Sequence, residues 1–139
     1  MRRVSGDEER RQVAAYEAAT LALIKEITAG LGRGGRLLAQ RAERRDDPAW
    51  RAEISAECRS WRRSLDALPG EPPPLYAPTH ARIVRWAAAV AEAGDAYAAA
   101  IERGDGLQLL EASRKLSETP ALYAEITRAL SAVAAKMRE

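Results

Sequence analysis

The sequence predicts an all-α fold: a single domain over residues 1–139, built as an antiparallel up-and-down four-helix bundle. Three observations carry that expectation. Apolar residues recur at steps of three and four along most of the chain, and no stretch alternates with the period of two that a strand requires. Turn-forming residues gather in a few short segments, chief among them Leu68-Pro69-Gly70-Glu71-Pro72-Pro73-Pro74. This Pro-rich connector divides the chain into two helical halves. It should run stiff and extended between helices two and three.

Helix one is expected to start at Ser5, with Glu8 completing a capping-box pattern. Its seam runs Val13, Tyr16, Thr20, Leu23, Ile27, Gly30, Gly34 and Leu37. The cluster Gly30-Leu31-Gly32-Arg33-Gly34-Gly35 is costly in a helix, at about 1 kcal/mol per glycine. The register nevertheless survives, because Gly30 and Gly34 fall on the seam. A continuous helix to about Arg44 is the expectation, and two helices joined by a glycine loop is the competing reading.

Helix two opens with Asp47 as N-cap and Pro48 at the first position. Its apolar face is Trp50, Ile54, Cys58, Trp61, Leu65 and Leu68, and Pro69-Gly70 ends it. Helix three begins near Pro78-Thr79 and keeps one face through Ile83, Ala87, Val90, Gly94, Tyr97 and Ile101. Gly104 suits the left-handed residue just past a helix end. Asp105, followed three residues on by Gln108, then caps helix four, so the two helices should form a tight hairpin. Helix four carries Leu109, Ala112 and Leu116. It meets Thr119-Pro120, read as a fresh N-cap and first position that marks a kink or restart, and closes its core face with Leu122, Ile126, Leu130, Val133 and Met137.

Composition narrows the chemistry. A chain of 139 residues buries roughly two thirds of its unfolded surface. Ala supplies much of the 47% hydrophobic content, which favours close helix approach over roomy cavities. The formal charge is only +2 although 30% of residues are charged. Cys58 is the one cysteine, so an internal disulfide is excluded. No apolar run follows Met1-Arg2-Arg3-Val4-Ser5-Gly6-Asp7-Glu8, so no signal peptide is visible. The longest apolar stretch, Trp86 to Ile101, contains Glu92 and Asp95 and is too short and too polar to span a bilayer. A cytoplasmic protein without membrane insertion is expected.

Catalytic machinery and cofactors are not expected. His80 is the only imidazole, and no local motif gives it a nucleophile or an orienting carboxylate; a surface or capping role fits it better. One His and one Cys do not make a structural zinc site, and the paired Glu-x-x-His motifs of di-iron bundles are missing. The glycine cluster lacks the Lys-Ser/Thr ending of a phosphate-binding loop. Carboxylates such as Glu53 and Glu57 read as local helix partners of nearby arginines.

Two features remain as candidate sites. From Arg33 to Arg63 there are nine Arg against five acids, and Arg59, Arg62 and Arg63 flank Trp61. Such a face suits solvent or an acidic protein partner, with nucleic acid the less favoured occupant because acids interleave with the arginines. Trp61 itself sits on the apolar seam and is more simply core. Trp86, off the heptad of helix three and beside Arg82 and Arg85, is a possible anchor; covering the bundle edge is the equal alternative. Tyr16, Tyr97 and Tyr123 lie on or beside the seam and would line a small polar pocket if they converged.

An ordered series runs through the middle of the chain: Asp46-Asp47-Pro48-Ala49-Trp50, Leu65-Asp66-Ala67-Leu68, Pro72-Pro73, His80, Tyr97 to Asp105, and Leu110-Glu111-Ala112. Over about residues 46–116 it resembles helical-bundle domains of uncharacterised bacterial proteins, many of them exported or lipid-anchored. The resemblance implies a bundle and carries over no catalytic residue. The chain departs from the group in having no export signal or lipid-attachment Cys near its start, which keeps a processed extracytoplasmic form as the alternative location. The function expected is a non-enzymatic interaction module that binds a protein partner or a second copy of itself. A small-molecule sensor or carrier, and a weak nucleic-acid binder using the Arg-rich face, are the alternatives.

Overall fold

The computed structural model describes residues 6–139, and among them every regular element is helical. Five long helices are present where four were expected. They are α1 (Gly6–Ala39), α3 (Pro48–Ser60), α4 (Ala77–Arg103), α5 (Gly106–Ser117) and α6 (Thr119–Met137). A single turn, α2 (Arg41–Arg44), follows α1, and short 3-10 segments occupy Trp61–Leu65 and Pro74–Tyr76. The predicted cap at Ser5 lies outside the described residues.

The extra helix arises at Thr119-Pro120, where the sequence predicts a kink or restart. Pro120 has no amide to offer the Leu116 carbonyl. The Thr119 hydroxyl donates to that carbonyl instead, at 2.8 Å, so Thr119 serves the end of α5 rather than capping α6 with its side chain. At the other hairpin Gly104 has φ 64° and ψ 31°, and Asp105 accepts from the amides of Leu107 and Gln108. Helix two, predicted to reach Leu68, tightens into 3-10 geometry at Trp61 and stops at Leu65. The amide that would have bonded the Leu65 carbonyl belongs to Pro69.

Helix α1 is continuous through the glycine cluster. Its interruption comes later, at Gln40, where the Trp50 indole N–H donates to the Leu37 carbonyl at 2.8 Å and competes with the helix ladder. The Arg51 guanidinium donates to the Ile101 carbonyl at 2.7 Å, near the end of α4. The start of α3 therefore supplies side-chain caps to two neighbouring helix ends.

Helix α4 is the centre of the fold: α3, the Trp61–Leu65 segment, α5 and α6 all pack on it, while α1 packs on α3 and that segment. The main core joins Leu23 and Ile27 of α1 to Trp50, Ile54 and Cys58 of α3, the inward face of α4, Ala112 of α5 and Ile126 of α6. A second cluster gathers Tyr16, Tyr76 and Val133. Met137, predicted to finish the core face, is exposed; the last buried residue of α6 is Val133, a turn earlier.

Trp61 explains why three glycines occupy helix interiors. Its indole lies between α1 and α4. A Cβ on Gly34 would fall 2.4 Å from Trp61 Cζ2, and one on Gly30 would fall 3.2 Å from Cδ1. A Cβ on Gly94 would meet the Cys58 carbonyl oxygen at 2.2 Å and Trp61 Cε3 at 2.8 Å. Gly35, by contrast, faces open space. Gly94→Ala is therefore expected to lower unfolding free energy by about 1–3 kcal/mol through overpacking. Gly35→Ala should raise it by about 0.5–1 kcal/mol through helix propensity. Urea denaturation of both variants checks the pair, and a Gly94→Ala protein as stable as the parent would refute the notch.

Candidate interaction surfaces

The arginines singled out in the sequence are mostly engaged within the chain. Arg59 pairs with Glu102 and Arg62 with Asp95, both tying α3 and its 3-10 extension to α4. Arg85 reaches Glu125 on α6 at 3.4 Å, and Arg82 donates to the Pro78 carbonyl one turn back. Of the arginines singled out, Arg82 and Arg63 have no carboxylate partner among the described residues. Arg63 faces an open groove between α1 and α3 together with Arg33 and Arg36. Arg33 donates to Glu57 at 2.8 Å, and the other Glu57 oxygen accepts from the Trp61 indole N–H at 3.2 Å and from Ser60. Glu57 is thus an interhelix strut over the Trp61 slot, in place of the local helix partner that spacing suggested. Arg36 and its two neighbours mix with Glu53 and Glu57 in the groove, leaving a single net positive charge on its lining.

Trp86 is not an exposed anchor: it is 1% exposed, with its ring 5.1 Å from that of Tyr123. Its off-heptad position faces α6, the helix that a four-helix count merges with α5. The three tyrosines do not converge. Tyr16 belongs to the second cluster, Tyr97 to the main core, and Tyr123 covers Trp86. Along α4, the Trp86 and Tyr97 positions are separated by about 16 Å at 1.5 Å per residue.

Tyr16 instead builds a small polar cluster that the sequence did not disclose. Its hydroxyl lies 2.8 Å from His80 Nδ1, its ring is 5.1 Å from Tyr76, and the Tyr76 hydroxyl donates to Glu17. The cluster pins the end of the Pro-rich connector to α1. Burial raises both phenol pKa values above the usual 10, and for Tyr76 the bond to the Glu17 carboxylate pushes the same way. His80 is thereby a half-buried hydrogen-bond partner and not a free surface group. Cys58, buried beside Gly94, has its thiol pushed up to about 12 by burial first and by the Glu57 charge second. It is an inert packing residue at neutral pH. Among the described residues no three His, Cys, Asp or Glu side chains stand close enough to hold a metal ion, and no helix is long and apolar enough to cross a membrane.

The surface that stands out chemically is on α5. Leu107 and Leu110, one turn apart, are 81% and 69% exposed. They border a groove of about 960 Å³ that runs between α5 and the end of α1. Leu38, Leu109 and the ring of Tyr97 give it an apolar base, and Arg41 and Arg103 stand at its rim. No packed interface joins α1 to α5, which leaves this groove open. The signal was present in the sequence as Leu107 and Leu110 lying off the Leu109-Ala112-Leu116 face, but attention to core periodicity passed over it.

Comparison with known proteins adds no relative: no protein-family model, curated protein or solved structure matches the chain.

The tyrosine cluster has a pH signature. A phenol whose pKa is higher in the folded state than in the unfolded state retains its proton there longer, so stability is full below about pH 10 and declines as pH rises beyond it. Chemical denaturation across pH 9–11.5 should show this decline, and Tyr76→Phe should make it shallower. An unchanged slope in Tyr76→Phe would remove Tyr76 as its source.

Proposed function

We propose that this protein is a non-enzymatic helical interaction module, acting through the exposed face of α5 and the groove beside it. One observation carries the reading: two leucines on an ordered, N-capped helix present their side chains to solvent at the lip of a groove with an apolar base and a polar rim. Isolated exposed leucines are ordinary, but an exposed pair joined to a concave surface with an apolar base supports a contact site. The partner is another protein or a second copy of the chain.

The rival readings draw less support. A small-molecule carrier needs a site near the tyrosines, and those side chains occupy three different places. Nucleic-acid binding through Arg59, Arg62 and Arg63 would compete with the ion pairs that already hold two of them.

Leu107→Ser/Leu110→Ser is expected to leave unfolding free energy within about 0.5 kcal/mol of the parent, because both side chains are solvated in the folded monomer. The same variant should abolish any concentration-dependent increase in mass and reduce the apolar dye binding of the parent. Light scattering and dye fluorescence, read beside a urea titration, test this. A variant markedly destabilised and otherwise unchanged would assign the leucines to folding and defeat the proposal.

A further inference from the structure

We infer that the groove between α1 and α5 receives an amphipathic helix from a different protein, with apolar anchors spread over two turns and acidic residues on its flanks. This rests on the interaction-module reading above and commits it to one kind of partner.

Size and shape come first. The groove is bounded by two helices that do not pack on each other and is based on a third, which is the geometry of helix-in-groove recognition. Along α5 the lining runs from Gly106 to Ser113, about two helical turns, which sets the length of helix the groove can hold. Two turns present apolar residues at i, i+3, i+4 and i+7, matching a lining of Leu38, Leu107, Leu109 and Leu110.

Charge selects the flanks. Arg41 has no partner among the described residues, and Arg103 reaches only the neutral Gln108, at 3.3 Å. Arg45 lies in the adjoining recess, which shares Arg41 and the Gly104–Gly106 turn with this groove. The one carboxylate that lines the groove, Asp105, already accepts two amides of α5. With Asp105 counted, and with Asp46 beside Arg45 in the recess, the lining of the groove keeps a single net positive charge. It is carried by two guanidinium groups that no carboxylate among the described residues holds, and acidic flanks would satisfy them. Lysine flanks would be repelled. A second copy is the poorer occupant, since its α5 leucines would bring Arg103, which no carboxylate among the described residues holds, against the same rim; its Arg114 is already held by Glu111 and Glu118. The groove also holds one polar demand: the Tyr97 hydroxyl has no partner among the described residues. A carboxylate or amide side chain within the stripe would meet it.

The test uses the full chain and three labelled synthetic helical peptides of equal length. Each carries leucines at i, i+3, i+4 and i+7; the first has Glu flanks, the second Lys flanks, and the third has Glu flanks with the leucine positions scrambled. Fluorescence anisotropy should show the Glu-flanked peptide binding about tenfold tighter than the Lys-flanked one, with two rim charges each contributing a few-fold. The scrambled peptide should not bind measurably. Arg41→Glu/Arg103→Glu should reverse the charge preference, and circular dichroism establishes that this variant is folded. Equal binding of the two ordered peptides, or an unaltered preference in the reversed variant, overturns the acidic-helix assignment. If no peptide binds and light scattering shows a dimer lost in Leu107→Ser/Leu110→Ser, the helix partner is refuted while the interaction module stands. If that variant changes neither peptide binding nor mass, both readings fall.

Discussion

The fold depends on one large ring seated where three glycines on two helices present no side chains. Trp61 fills the space between α1 and α4, and it fits because Gly30, Gly34 and Gly94 present bare backbone to it. Aromatic burial of this kind contributes on the order of 2–3 kcal/mol, and it more than offsets the helix propensity forfeited at any single glycine. The arrangement also fixes geometry. With the Cys58 carbonyl close to Gly94, α3 and α4 approach more nearly than any residue with a Cβ would allow. Arg33, Glu57 and Ser60 close the slot from outside through hydrogen bonds that converge on the Glu57 carboxylate, which also accepts from the indole N–H.

The charged surface follows from the same close approach. Helices separated by small residues bring their flanking side chains within reach of one another. Arg33–Glu57, Arg59–Glu102, Arg62–Asp95, Arg85–Glu125 and Lys115–Glu92 all link different helices. Each exposed pair adds only about 0–1 kcal/mol. Their larger consequence is orientation, because they fix which helix faces meet. Among the arginines that border the two grooves, Arg36 and Arg63 on one and Arg41 and Arg103 on the other are not held by a carboxylate among the described residues.

Periodicity made the helical character, the α4–α5 turn at Gly104-Asp105 and most of the core legible. Trp50, Ile54, Cys58, Ile83, Val90 and Ile126 are buried as their spacing required. It also carried α1 correctly through its glycines, since Gly30 and Gly34 kept register. What it missed are matters of pairing between distant segments. Whether Trp86 faces solvent depends on where α6 lies, and Tyr123 settles that from 37 residues away. The Tyr16–His80 bond joins positions 64 apart, beyond the reach of any local motif. The restart at Thr119-Pro120 was visible, but counting it as a kink hid a fifth helix. With α5 treated as half of a longer helix, its outward leucines looked incidental.

Those leucines do not mark a frayed end. An isolated helix of twelve residues is marginal in water, yet α5 is fastened at both ends. Asp105 binds two of its first amides, and Thr119 takes the Leu116 carbonyl that Pro120 leaves without a donor. Ala112 is fully buried, with Leu109 and Leu116 partly buried beside it against the core. The neighbouring wall is fastened as well, by the Trp50 bond to Leu37 and the Arg51 bond to Ile101. Both sides of the groove are therefore set before anything enters it. A partner would meet the cost of ordering only its own chain, and pre-organisation of this kind is what lets a short apolar lip bind with useful affinity. Were Leu107 and Leu110 needed for folding, they would point toward α4 with Ala112; their outward direction on a restrained helix is what the proposed interaction would use.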